Sequence, residues 1–135
     1  MTLSPEERKA IVDYRIERAH LTLKEVEYVV KGKFWNLAAN RLYYTLFYIC
    51  EALLLNNKIT TTTHAGVIRM INLHFVRTGK ISKEDASLLG DIFRMRQTGD
   101  YDDLTDWKED QILPVIPKVK SLVDHIENLI KNNIC

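Results

Sequence analysis

Apolar residues at Val12, Ile16, Ala19, Leu23, Val26 and Val30 recur in steps of three and four along the first part of the chain. That spacing draws one stripe down a helix. In front of it stands Ser4-Pro5-Glu6-Glu7. This run offers an N-cap serine, proline at the first helical position and a glutamate that completes a capping box. Gly32 is the expected stop. A second helix is predicted over residues 34–56. Leu37, Leu42, Tyr43, Leu46, Ile49 and Leu53 surround it, and a helix apolar on all sides is normally the central one of a bundle.

Asn56-Asn57 ends that helix, and a polar loop follows with four consecutive threonines. Thr63 caps a predicted third helix over residues 64–78, with Val67, Ile68, Ile71 and Phe75 inward and Gly79 as its stop. Ser82 and Asp85 open a fourth helix in a capping-box pattern. Leu88, Leu89, Ile92, Phe93 and Met95 form its buried face, and it is expected to end near Gln97, ahead of Gly99. An acidic turn over residues 99–103 comes next. A fifth helix over residues 107–132 carries Ile112, Ile116, Val119, Val123, Ile126 and Ile130. Proline removes a helical hydrogen bond, so Pro114 and Pro117 predict a kink there or a start delayed to Pro114. No strand-like alternation competes, and short connections favour antiparallel neighbours. The expected fold is an all-α bundle in one domain, residues 1–135.

Composition narrows the function classes. A chain of 135 residues buries roughly two-thirds of its unfolded surface and needs neither disulfide nor metal to fold. The formal charge is +1, from 19 basic and 18 acidic residues. That balance gives no whole-surface attraction to nucleic acid or anionic membrane. The two cysteines, Cys50 and Cys135, form no zinc-type spacing. No cofactor or metal is expected. The charged start MTLSPEERKA lacks an apolar core, and no run approaches a membrane span of ~20 residues. A cytoplasmic location away from membranes is therefore expected.

Three features carry candidate chemistry. Asn40, Arg41, Tyr44, Tyr48 and Glu51 interrupt the apolar second helix. A buried arginine or asparagine has to be paired, so the set reads either as a structural network or dimer seam, or as a cleft lined by Arg41. In Arg94-Met95-Arg96-Gln97-Thr98-Gly99-Asp100-Tyr101, two arginines leave a helix and meet a carboxylate-rich turn. Arg96 there suits either a helix cap or a phosphate clamp. Among four scattered histidines, His64 stands at a helix start, a position fit for capping or anion contact. No nucleophilic triad, phosphate loop or carboxylate pair follows from spacing.

The stretch Trp35-Asn36-Leu37-Ala38-Ala39-Asn40-Arg41-Leu42-Tyr43-Tyr44-Thr45-Leu46-Phe47 resembles the second helix of HEPN-domain proteins. Thr63-His64-Ala65-Gly66-Val67, Leu73-His74-Phe75-Val76-Arg77-Thr78-Gly79-Lys80 and the segment from Arg94 to Tyr101 match in order and spacing, over roughly residues 8–130. The resemblance implies an up-and-down bundle of about five helices that usually dimerises. It also implies kinship with toxins of toxin–antitoxin pairs, whose partner is often a minimal nucleotidyltransferase. Active members resemble metal-independent endoribonucleases with an arginine followed, four to six residues on, by a histidine.

This chain departs from that signature. Arg96 takes the arginine position, but Tyr101 stands five residues later and the next histidine is His125. The literal strings Arg15 to His20 and Arg69 to His74 fall inside predicted helices, where five residues turn the chain by about 500° and leave the side chains about 140° apart. Tyrosine, with a reference pKa near ~10, is a weaker proton carrier at neutral pH than histidine. The expectation is a nucleotide- or RNA-binding module with little or no catalysis. Arg96, Asp100, Tyr101, Arg41, Asn40, Tyr44 and His64 are its candidate contacts, and a second copy and a separate nucleotidyltransferase its expected partners. The alternatives are an endoribonuclease toxin working through Arg96 and Tyr101, and a purely structural dimerisation module.

Overall fold

The computed structural model describes the backbone of residues 2–101 and 106–132, and all their side chains except those of residues 96–101. The chain forms α1 (Pro5–Lys31), α2 (Trp35–Asn56), α3 (His64–Ile71), α4 (Lys83–Tyr101), α5 (Glu109–Ile112) and α6 (Ile116–Asn132). No strand occurs among the described residues. The five-helix bundle consists of α1, α2, α3, α4 and α6, while α5 is a single turn.

Helix α1 starts as its sequence predicts. Ser4 Oγ accepts from Glu7 N at 3.1 Å, and Ser4 N donates to Glu7 Oε1 at 2.9 Å. These bonds satisfy two of the donors that every helix N-terminus leaves open. Gly32 caps the other end without entering the left-handed region, which falls to Lys33 at φ 62°. A Cβ on Gly32 would lie 2.5 Å from the Phe34 ring, so glycine is needed there for close approach.

Helix α2 is the axis of the bundle and packs against α1, α3, α4 and α6. Leu42, Tyr43, Leu46, Ile49, Leu53 and Leu54 are almost fully buried around it. Two threonines, Thr22 on α1 and Thr45 on α2, are buried as well. Each turns its hydroxyl back to a carbonyl one turn earlier, at 2.7 and 2.8 Å, so neither leaves an unsatisfied polar atom.

Thr63 caps α3 through its side chain, which accepts from Gly66 N at 2.9 Å. Beyond Ile71 the helix widens into a π-helical turn, Asn72–Val76, and Gly79 reverses the chain at φ +80°. Helix α4 departs from the sequence expectation. It continues through Gln97 and Gly99 to Tyr101. Glycine keeps its N–H and costs only about 1 kcal/mol inside a helix, so it permits a stop without enforcing one. Proline does enforce one. Leu113–Val115 tightens into a 3-10 turn between α5 and α6, so the predicted last helix divides at Pro114 and its long part begins at Ile116. Asn36 ties the returning chain to α2, donating to Asp106 Oδ1 at 3.0 Å and accepting from Trp107 N at 2.7 Å.

Candidate functional site

Four of the residues singled out from sequence form one contiguous array. Arg41 donates through Nε and Nη2 to Asn40 Oδ1 at 3.1 and 2.7 Å. Its Nη1 donates to Glu25 Oε1 at 3.3 Å, reaching across to α1. The guanidinium carbon lies 5.3 Å from the centre of the Tyr44 ring, a cation–π distance. Tyr44 in turn meets His64 edge-on, with ring centres 6.4 Å apart. Asn40, Arg41, Tyr44 and His64 thus run from the α1–α2 seam to the start of α3. The carbonyl of Asn40 and the carboxylate of Glu25 supply the pairing that a half-buried guanidinium requires.

His64 is the hub of the aromatic cluster. Its ring stacks on Phe47 at 4.3 Å and lies nearly parallel to Tyr43 at 5.7 Å. The Tyr43 hydroxyl and His64 Nδ1 are hydrogen-bonded, which fixes the orientation of the imidazole as an outer partner does for a catalytic or metal-bound histidine. Tyr43 is itself buried and meets Phe93 of α4 at 4.7 Å.

These residues open onto a cleft of about 300 Å³ between α3 and α4. Its lining includes the buried Tyr43, the half-buried Ile68, Gly90 and Phe93, and the exposed His64 and Arg94. Arg94 pairs with Asp91 one turn back on the same helix. Spacing gave no hint of this cleft, because its cation and its histidine stand thirty residues apart in the chain. The one local signal is a glycine at position 90, in the interior of a helix.

Arg96, Asp100 and Tyr101 lie on the last turns of α4, and their side chains fall outside the described residues. The backbone register turns positions 96 and 101 about 140° apart and leaves 96 and 100 about 40° apart. The string Arg15 to His20 forms no site, since His20 Nε2 is engaged by Glu127 Oε1 of α6 at 2.5 Å.

Elsewhere, burial pushes the Cys50 thiol up to about 12, far from the range of a reactive thiolate. No group of three or more possible metal ligands occurs among the described residues. Nor, among them, is any helix long and apolar enough to cross a membrane.

The model of the HEPN domain matches residues 12–129. A UPF0332 protein of Thermotoga maritima is 36% identical over 126 residues, which cover 93% of this chain and 96% of that one. Two proteins of Methanocaldococcus jannaschii are also similar. "Putative toxin MJ0142" is 32% identical over 71% of this chain and 65% of its own length, and "Putative toxin MJ0605" is 31% identical over 86% of each. With a family model spanning most of its length and a 36% identical relative aligned nearly end to end, the chain belongs to the HEPN-domain family.

Proposed function

We propose that this protein is a nucleotide- or RNA-binding HEPN module with little or no catalytic activity. It works in the cytoplasm as a homodimer, beside a separately encoded minimal nucleotidyltransferase, in a toxin–antitoxin-like pair. Arg96 holds a phosphate, Asp100 orients that guanidinium, and Tyr101 stacks on a base. Asn40, Arg41, Tyr44 and His64 extend the contact surface. The observation that carries this reading is the array just described: a half-buried guanidinium over the half-buried Tyr44 ring, beside the exposed His64 ring. Single-stranded nucleic acid is bound by that combination of cation and stacking platform. Low catalytic power follows from the sequence, which holds no histidine between Arg96 and His125.

Labelled nucleotides and short RNAs titrated against wild type and Arg96→Ala test the reading. A lost charged contact of about 1.5–3 kcal/mol weakens binding by roughly tenfold or more. Equal affinity in the two proteins removes Arg96 from the site. A second reading takes only the word toxin from the names of the two Methanocaldococcus relatives: an endoribonuclease toxin using Arg96 and Tyr101, against which stands the turn of about 140° between those positions on α4. Its expression arrests growth and Tyr101→Phe relieves the arrest, whereas a harmless wild type ends that reading.

A further inference from the structure

We propose that the exposed face Arg69–Leu73–Arg77 of one copy of this chain docks into an acidic groove between α4 and the start of α6 on another copy. The contact is additional to the homodimer named above. It goes beyond the binding reading and does not depend on it.

The basic face is built by α3 and the turn that follows it. Residues 58–80 hold Lys58, Arg69, Arg77 and Lys80 and no acidic residue. Arg69, Leu73 and Arg77 follow one another in steps of four, which sets them on one side of the helical run. All three are exposed, Leu73 to 41%. Leu73 belongs to the π-helical turn Asn72–Val76, a departure from α geometry that is frequent at functional sites. The face therefore presents an apolar knob between two cations.

The groove has the opposite chemistry. It encloses about 600 Å³. Glu84, Asp85 and Asp91 bring three carboxylates to its lining against one cation, Lys118, and Leu88 and Val115 bring apolar surface. Among the described residues, the side chains of Arg69, Arg77, Glu84 and Asp85 have no hydrogen bond or ion pair within the chain. Asp91 pairs with Arg94 on its own helix, but both side chains are more than half exposed, and such pairs are weak.

Spacing matches the two surfaces. Eight residues separate Arg69 from Arg77, ~12 Å along a helix axis, and seven separate Glu84 from Asp91, ~10.5 Å. Leu73 lies midway between the arginines, and Leu88 lies close to midway between the carboxylates. The basic face laid along the groove thus sets a guanidinium over each end carboxylate and Leu73 over Leu88. Complementary charge of this kind selects one pairing and suppresses the others. Two basic faces repel, as do two acidic grooves, so the contact is head to tail. Each copy carries both surfaces, and the contact therefore passes from copy to copy.

Sedimentation equilibrium of the full chain at about 20 mM and about 300 mM salt tests this, because the higher salt screens exposed charges. Wild type is expected to exceed twice the chain mass at low salt and to lose the excess at high salt. Leu73→Glu, Arg69→Glu/Arg77→Glu and Glu84→Lys/Asp91→Lys are each expected to need a concentration higher by roughly tenfold or more to show that excess. All five positions are exposed, so helicity by circular dichroism is expected to be unchanged. Mixing the two double variants is expected to restore the excess, since the acidic face of one then meets the basic groove of the other. A wild type without excess mass at low salt overturns the contact. So do double variants that keep the excess, or a mixture that does not regain it. If Arg69→Glu/Arg77→Glu weakens RNA binding and leaves the mass unchanged, the basic face serves nucleic acid and the contact between copies falls.

Discussion

Glu51 shows how one residue on the polar face of α2 acts on the whole fold. It lines a small cavity of about 110 Å³ with Arg15, Thr60 and Thr61. Burial raises its carboxyl above the ordinary value, and the nearby Arg15 only partly offsets this. The folded state therefore binds the proton more readily than the unfolded chain does. Glu51's contribution to stability is present below the ordinary carboxylate range and is lost as pH rises through the raised folded-state value. At neutral pH the charge opposes folding. Glu51→Gln is thus expected to raise Tm by a few degrees at pH 7 and to have almost no effect at pH 4. Thermal melts at the two pH values check this, and a lowered Tm at pH 7 would mean that the Arg15 attraction outweighs desolvation. The polar set on α2 was visible in the sequence as interruptions of an apolar helix. Its pairing was not visible, because Glu25 and Arg15 come from α1 and only packing brings them near.

At the scale of elements, the sequence was most legible where a rule is hard. The capping box of α1, the all-round burial of α2 and the break at Pro114 follow from hydrogen bonds that must be made or cannot be made. Legibility failed where the signal is permissive. Gly99 sits within α4, and Gly32 leaves the left-handed turn to Lys33. The cleft was hidden for a related reason: Arg94 and His64 lie on different helices, and no local spacing encodes their meeting. Lys33 carries a prediction of its own. A residue with a Cβ is strained by about 1–2 kcal/mol in the left-handed region, whereas glycine is not, although glycine adds freedom to the unfolded chain. Lys33→Gly is expected to stabilise the protein by about 0.5–1 kcal/mol. Urea denaturation should show a higher midpoint with an unchanged slope. A lower midpoint would mean that Lys33 makes contacts worth more than its backbone strain.

For the whole molecule, the outer side of α1 offers the proposed homodimer an exposed apolar stripe. Tyr14, Leu21 and Tyr28 are 62%, 47% and 69% exposed, and their seven-residue spacing sets them on one stripe of a long helix. Arg18 and Glu25 lie on the same stripe, three and four residues to either side of Leu21. If two copies pack α1 against α1 in antiparallel fashion about Leu21, Tyr14 meets Tyr28 of the partner subunit and Arg18 comes opposite Glu25 of the partner subunit. Every contact then occurs twice, as a two-fold interface requires. Within one chain these charges are only partly engaged, Arg18 over the Tyr48 ring at 5.5 Å and Glu25 with Arg41 at 3.3 Å. Light scattering is expected to give twice the chain mass for wild type and once the chain mass for Leu21→Glu, with helicity unchanged because Leu21 faces outward. Arg18→Glu should weaken the dimer, and adding Glu25→Arg should restore it, since the swap recreates opposite charges across the two-fold axis. A wild type that stays monomeric at high concentration removes the homodimer. A Leu21→Glu variant that remains dimeric moves the interface away from α1, and the end of α4 becomes the next surface to mutate.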